Sequence, residues 1–155
     1  MSPLPEPSRI ANDLRALRLI WVAIAVGVVA FTAVFAFLIA TGAMQPAVDA
    51  DTAFYLAAGF SVVTILAGFF VQRRLTDTVL PAADSYERAV AAVRIHGIMS
   101  IAVLEAGALI GGVLAMVSAT MTPLAFVVPF FAFWWLFFPS EQRLLYLLSR
   151  TSGLL

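Results

Sequence analysis

Glu105 has the clearest capacity for chemistry in this chain, because it is an acid standing alone within a long apolar run. His96, near the polar start of that run, lies nine residues earlier. A helix rising about 1.5 Å per residue carries Glu105 about 13.5 Å inward from it, close to the midplane of a bilayer. Placing an acid there costs about 2.5–3.5 kcal/mol on insertion scales. Lost hydration penalises the charged form, so the expected species is a neutral acid that exchanges a proton when its surroundings change. One reading is thus a proton or cation site, or a conformational switch. The other is a neutral hydrogen-bond bridge between helices. Thr32 on the first apolar run, and Ser61 and Thr64 on the second, offer polar partners at matching depth. Such bonds contribute about 0.6 kcal/mol on average and about 1.7 at most, less than the insertion cost.

Other polar residues offer less. Arg94 precedes Glu105 by eleven residues. That is nearly three turns, so both share a face, about 16.5 Å apart and out of reach of an ion pair. Arg94 is expected to reach up to the lipid headgroups. His96 sits on another side of the same helix end, and a proton path could run from it, or from the inner surface, to Glu105. It is the sole histidine, cysteine is absent and every basic residue is arginine. Paired-histidine haem ligation, thiolate metal sites and Schiff-base chemistry are therefore excluded within one chain. No acid is placed to orient His96 for a serine triad. Asp49 and Asp51 read as a solvated loop and a helix cap, too few oxygen ligands for a divalent cation. No enzyme activity, metal or cofactor is expected, and zero net charge gives no basic surface for nucleic acid.

The surroundings of Glu105 are small. Gly107 and Gly111 form a GxxxG, and Ala108 and Gly112 repeat the spacing one residue on. Small residues let another backbone approach closely. Packing within the chain is the favoured use, with a homodimer face as the alternative. The stretch from Ile98 to Ala115, with Glu105 among these small residues, resembles the carboxylate-bearing helix of rotary ATP synthase c-subunits and related proteolipids. The likeness covers about 18 residues. It implies that Glu105 would carry a translocated proton or sodium ion.

Four apolar runs must position these residues, centred near Val29, Val62, Ala108 and Phe131. Mean hydropathy is +1.01 and 63% of residues are hydrophobic, well above the balance of a soluble domain. The runs predict membrane helices over about 19–40, 53–71, 97–119 and 124–138. The third carries an extension from about residue 83, and a short interfacial helix covers 140–149. The first run is about twice the length of a signal-peptide core, so it is expected to remain as a span. Pro3, Pro5 and Pro7 predict a non-helical start over Met1 to Ser8. Either Asp51 or Thr52 is expected to cap the second helix, and Ser140 the last.

All nine arginines fall before the first run, between the second and third, or after the fourth. Cationic segments stay in the cytoplasm. The expected fold is an all-α membrane protein: a four-helix transmembrane bundle in the inner membrane, with both termini cytoplasmic. Arg18 to Pro46 and Arg94 to Pro123 share an outline, compatible with two parallel hairpin repeats. The expected function is a small polytopic membrane protein of unassigned activity, proton- or cation-linked through Glu105. The alternative is an accessory or scaffold subunit in which Glu105 is an interhelical hydrogen-bond residue. A third class, a lipid or quinone carrier, would need an apolar cavity, with Trp134 and Trp135 the nearest aromatics. The lipid bilayer is the expected partner, with a homo-oligomer or larger membrane complex as the setting.

Overall fold

In the computed structural model, which describes residues 7–149, long apolar helices pack side by side and a cap of short elements closes one end. The helices are α1 (Pro7–Ala40), α2 (Ala50–Arg74), α3 (Tyr86–Ser118), α4 (Val128–Phe137) and α5 (Glu141–Leu148). A π-helical turn, Leu75–Val79, follows α2, and a 3-10 helix, Thr122–Val127, leads into α4. No strand occurs among the described residues. Three helices are long and apolar enough to cross a membrane, and a fourth span results if Thr122–Phe137 and Glu141–Leu147 count as one broken element bent by 71°.

Local chemistry sets the boundaries. Asp49 caps α2: its carboxylate accepts from the Thr52 N–H at 2.8 Å, while Asp51 lies in the first turn. The cap is thus two or three residues earlier than the sequence suggested, because an extended residue ahead of the first turn can fold its oxygen onto free N–H groups. Ser85 and Ser140 cap α3 and α5 in the same way. The start of the chain also differs from expectation. Pro7 and Ser8 already belong to α1, since proline is tolerated in a first helical turn where its missing N–H is not needed. Pro3 and Pro5, and Arg150, lie outside the described residues. The residues between this start and the predicted span join it in one continuous helix of 34 residues.

α3 is the hub. It packs against α2 most extensively, then against α1 and the 3-10 helix, whereas α1 and α2 barely touch. The first two helices therefore do not form a packed hairpin, and the packing does not repeat between the halves. One core cluster fills the middle, with Trp21, Val28, Ile101, Leu104, Phe130 and Phe133. A second fills the basic end, where Leu14, Leu75, Leu80, Val90, Val93 and Leu144 meet. This second core explains why α3 begins two to three turns before its most apolar stretch. The extension has its own apolar face to bury.

Candidate functional site

The small residues of α3 are consumed inside the chain. A Cβ built on Gly107 would meet the Thr64 hydroxyl, with Thr64 Cβ at 3.1 Å. On Gly111 it would lie 3.1 Å from the Pro123 carbonyl oxygen, and on Gly112 2.8 Å from the Phe31 ring. Ala108 is buried in the central core. Gly107 and Gly111 thus let α2 and the 3-10 helix approach α3, and Gly112 does the same for α1.

Glu105 is only half-buried. At about 100° per residue it lies about 20° from Gly112, which faces α1, and about 20° the other way from exposed Ile98. It occupies the seam where the α1-facing stripe ends and the outer surface begins. Gly107, which faces Thr64, is about 160° away. Gly97 faces Leu17 and Trp21, and Gly112 faces Phe31 and Phe35. Interpolating between these contacts puts Glu105 level with Gly27, an exposed residue with nothing within 4 Å of where its Cβ would be.

The expected partners do not reach this acid. The Thr32 hydroxyl donates to its own helix at Val28 O (2.7 Å), and the Thr64 hydroxyl to Ser61 O (3.0 Å). Ser61 is buried on α2, across α3 from the acid. Among the described residues, Glu105 has no hydrogen bond and no ion pair. Arg94 and His96 are partly buried near the basic end, and His96 Nδ1 pairs with Ala92 O at 2.9 Å, a bond within its own helix. No group of three or more metal-ligating side chains occurs among the described residues.

A polar network at the basic end is the feature that sequence reasoning missed. Buried Gln72 donates through Nε2 to Ser100 Oγ (2.8 Å), and its Oε1 accepts from Arg143 Nη2 (3.4 Å). Arg143 Nη1 donates to Leu136 O (3.0 Å), and its guanidinium lies 4.4 Å from the centre of the Phe137 ring. Arg18 Nε donates to Pro139 O (2.9 Å). Arg143 thus serves a carbonyl left free where α4 stops, an arrangement favoured by the negative end of a helix, while Arg18 ties α1 to the link between α4 and α5. Trp134 Nε1 donates to Trp21 O (3.1 Å) and binds α4 to α1. The Trp21 indole N–H is buried without a partner beside a cavity of about 20 Å³ lined in part by Gln72, Ser140 and Arg143. That space is enough for about one water. Phe69 packs on Phe137 beside this network, at 5.6 Å between ring centres. No family model, no curated protein and no solved structure matches this chain.

Proposed function

We propose that this protein is a four-span inner-membrane protein, with both termini in the cytoplasm, that serves as a non-enzymatic subunit of a membrane complex. Glu105 is the point at which it meets a neighbouring helix. The observation that carries the reading is the position of this acid on the seam between α1 and the outer surface, with no hydrogen bond among the described residues. An acid near mid-span that is not satisfied within its own chain is relieved by a partner outside it. Exposed Ala102 and Ala106 on α3, and Gly27 on α1, leave room for that partner's backbone. The basic end then lies in the cytoplasm and the Asp49–Asp51 end outside.

The chain has no cysteine, which makes the test direct. Ala106→Cys, introduced alone, labelled with a benzophenone maleimide and irradiated in native membranes, should trap a species larger than the monomer, because the photoactivated probe inserts into C–H bonds of whatever helix lies against it. Adding Glu105→Ala should reduce its yield. A trapped yield indifferent to Glu105→Ala would overturn the reading.

The proton- or cation-linked role stands as a second reading, favoured by the likeness of Ile98 to Ala115 to the c-subunit carboxylate helix. It requires a flux in vesicles reconstituted with the purified protein, abolished by Glu105→Gln without loss of fold. No flux in the wild-type vesicles removes it.

A further inference from the structure

A groove opens where α4 ends and α5 turns away. It is about 840 Å³ in volume, and its walls include Trp134, Trp135, Phe138, Gln142, Arg143 and Tyr146. Among the described residues, none of those lining it is acidic. We propose that this groove holds the phosphate headgroup of an anionic membrane lipid, with Arg143 as the recognising cation.

Charge is the first argument. Arg143 is partly buried, and its partners are neutral: the Leu136 carbonyl, the Gln72 side-chain oxygen and the Phe137 ring. Among the described residues no carboxylate lies within ion-pair distance of it. A guanidinium has five N–H donors, and these contacts occupy two. A partly desolvated cation with donors to spare, in a groove with no acid among its described lining residues, is suited to a planar or tetrahedral oxyanion.

Shape and depth are the second. α5 is amphipathic: Leu144 and Leu147 are buried in the basic-end core, while Glu141, Gln142 and Tyr146 are exposed. With that face used inside the protein, Leu145, 41% exposed, is what remains for contact with lipid. Trp135 is 79% exposed and Tyr146 56% exposed at the groove. Aromatics with a polar edge settle at headgroup level. The apolar walls, Phe138 and Leu147 among them, suit the glycerol and upper acyl region, while Gln142 and Ser140 can address headgroup oxygens. A soluble anion would use the cation but not these walls, so the occupant is a lipid. Anionic lipids also enrich the cytoplasmic leaflet, where this end is placed.

The test compares phosphatidylglycerol with phosphatidylcholine of the same acyl chains. The purified full chain, in detergent, is offered both and retained lipid is read by native mass spectrometry. Phosphatidylcholine carries the same phosphodiester, but its choline cation cancels the charge; one cation facing a net anion contributes about 1 kcal/mol, roughly a fivefold preference for phosphatidylglycerol. Arg143→Gln should erase the preference, and Arg143→Lys should keep part of it. Equal retention of the two lipids by the wild type overturns the proposal. So does an undiminished preference in Arg143→Gln. Displacement of bound phosphatidylglycerol by excess inorganic phosphate would show a free-anion site instead and would equally overturn it. The wild-type comparison decides even if Arg143→Gln fails to fold, and it does not depend on whether Glu105 contacts another subunit.

Discussion

Gly107→Ala is the sharpest test of how α2 and α3 are held together. The added methyl would fall on the Thr64 side chain, with Cβ at 3.1 Å and Cγ2 at 3.2 Å. Rotation about χ1 moves the Thr64 hydroxyl and methyl, but not Cβ, so relief requires the backbones to separate. Overpacking of this kind costs about 1–3 kcal/mol. Alanine also has the better helix propensity by about 1 kcal/mol, which offsets part of the penalty. Gly27→Ala isolates that second effect, since nothing lies within 4 Å of its Cβ. The expected order of thermal stability is Gly27→Ala at or above wild type, and Gly107→Ala below it. Thr64→Ala removes Oγ1 and Cγ2 and should recover part of the loss in the double variant. A cycle of the four proteins, melted in the same detergent, measures the coupling. If Gly107→Ala melts with Gly27→Ala, or if the two changes at 64 and 107 simply add, the close approach inferred here is wrong.

Two further outcomes follow from the termini of the helices. Ala119 ends α3 in the left-handed region at φ 51°, a conformation that costs a non-glycine residue about 1–2 kcal/mol, so Ala119→Gly should raise the melting temperature; a lowered value would show that the αL cap is not the source of strain. The Thr52 side-chain and backbone hydrogen bonds hold the Asp49 carboxyl below its ordinary value of 3.8. Its capping contribution is therefore complete well above pH 3.8 and fades as pH falls through the lower folded value. Asp49→Ala should melt below wild type at neutral pH, with the gap closing in acid, and a gap that widens there would contradict the cap.

The element map was legible because arginines and apolar runs carry it directly. α3, its extension and the Ser140 cap followed from periodicity and capping chemistry. The single long α1 did not, because prolines near a chain start read as breakers until their place in the first turn is known. Glu105 was identifiable by type, but its surroundings were not. Depth can be counted along a helix, whereas the direction a residue faces depends on which neighbour packs where. Thr64 matched the acid in depth yet lies against Gly107, on nearly the opposite side of α3. The Gln72–Arg143 contact joins residues 71 apart in sequence, and nothing local announces it.

The central place of α3 also fixes a sequence of events. Synthesis delivers α1 and α2 first, and neither offers the other much surface. Both must wait for a third helix before either has a companion to settle on. Assembly of this molecule therefore starts late and from within: the scaffold emerges after the parts it gathers, and the earlier segments stand apart until it arrives.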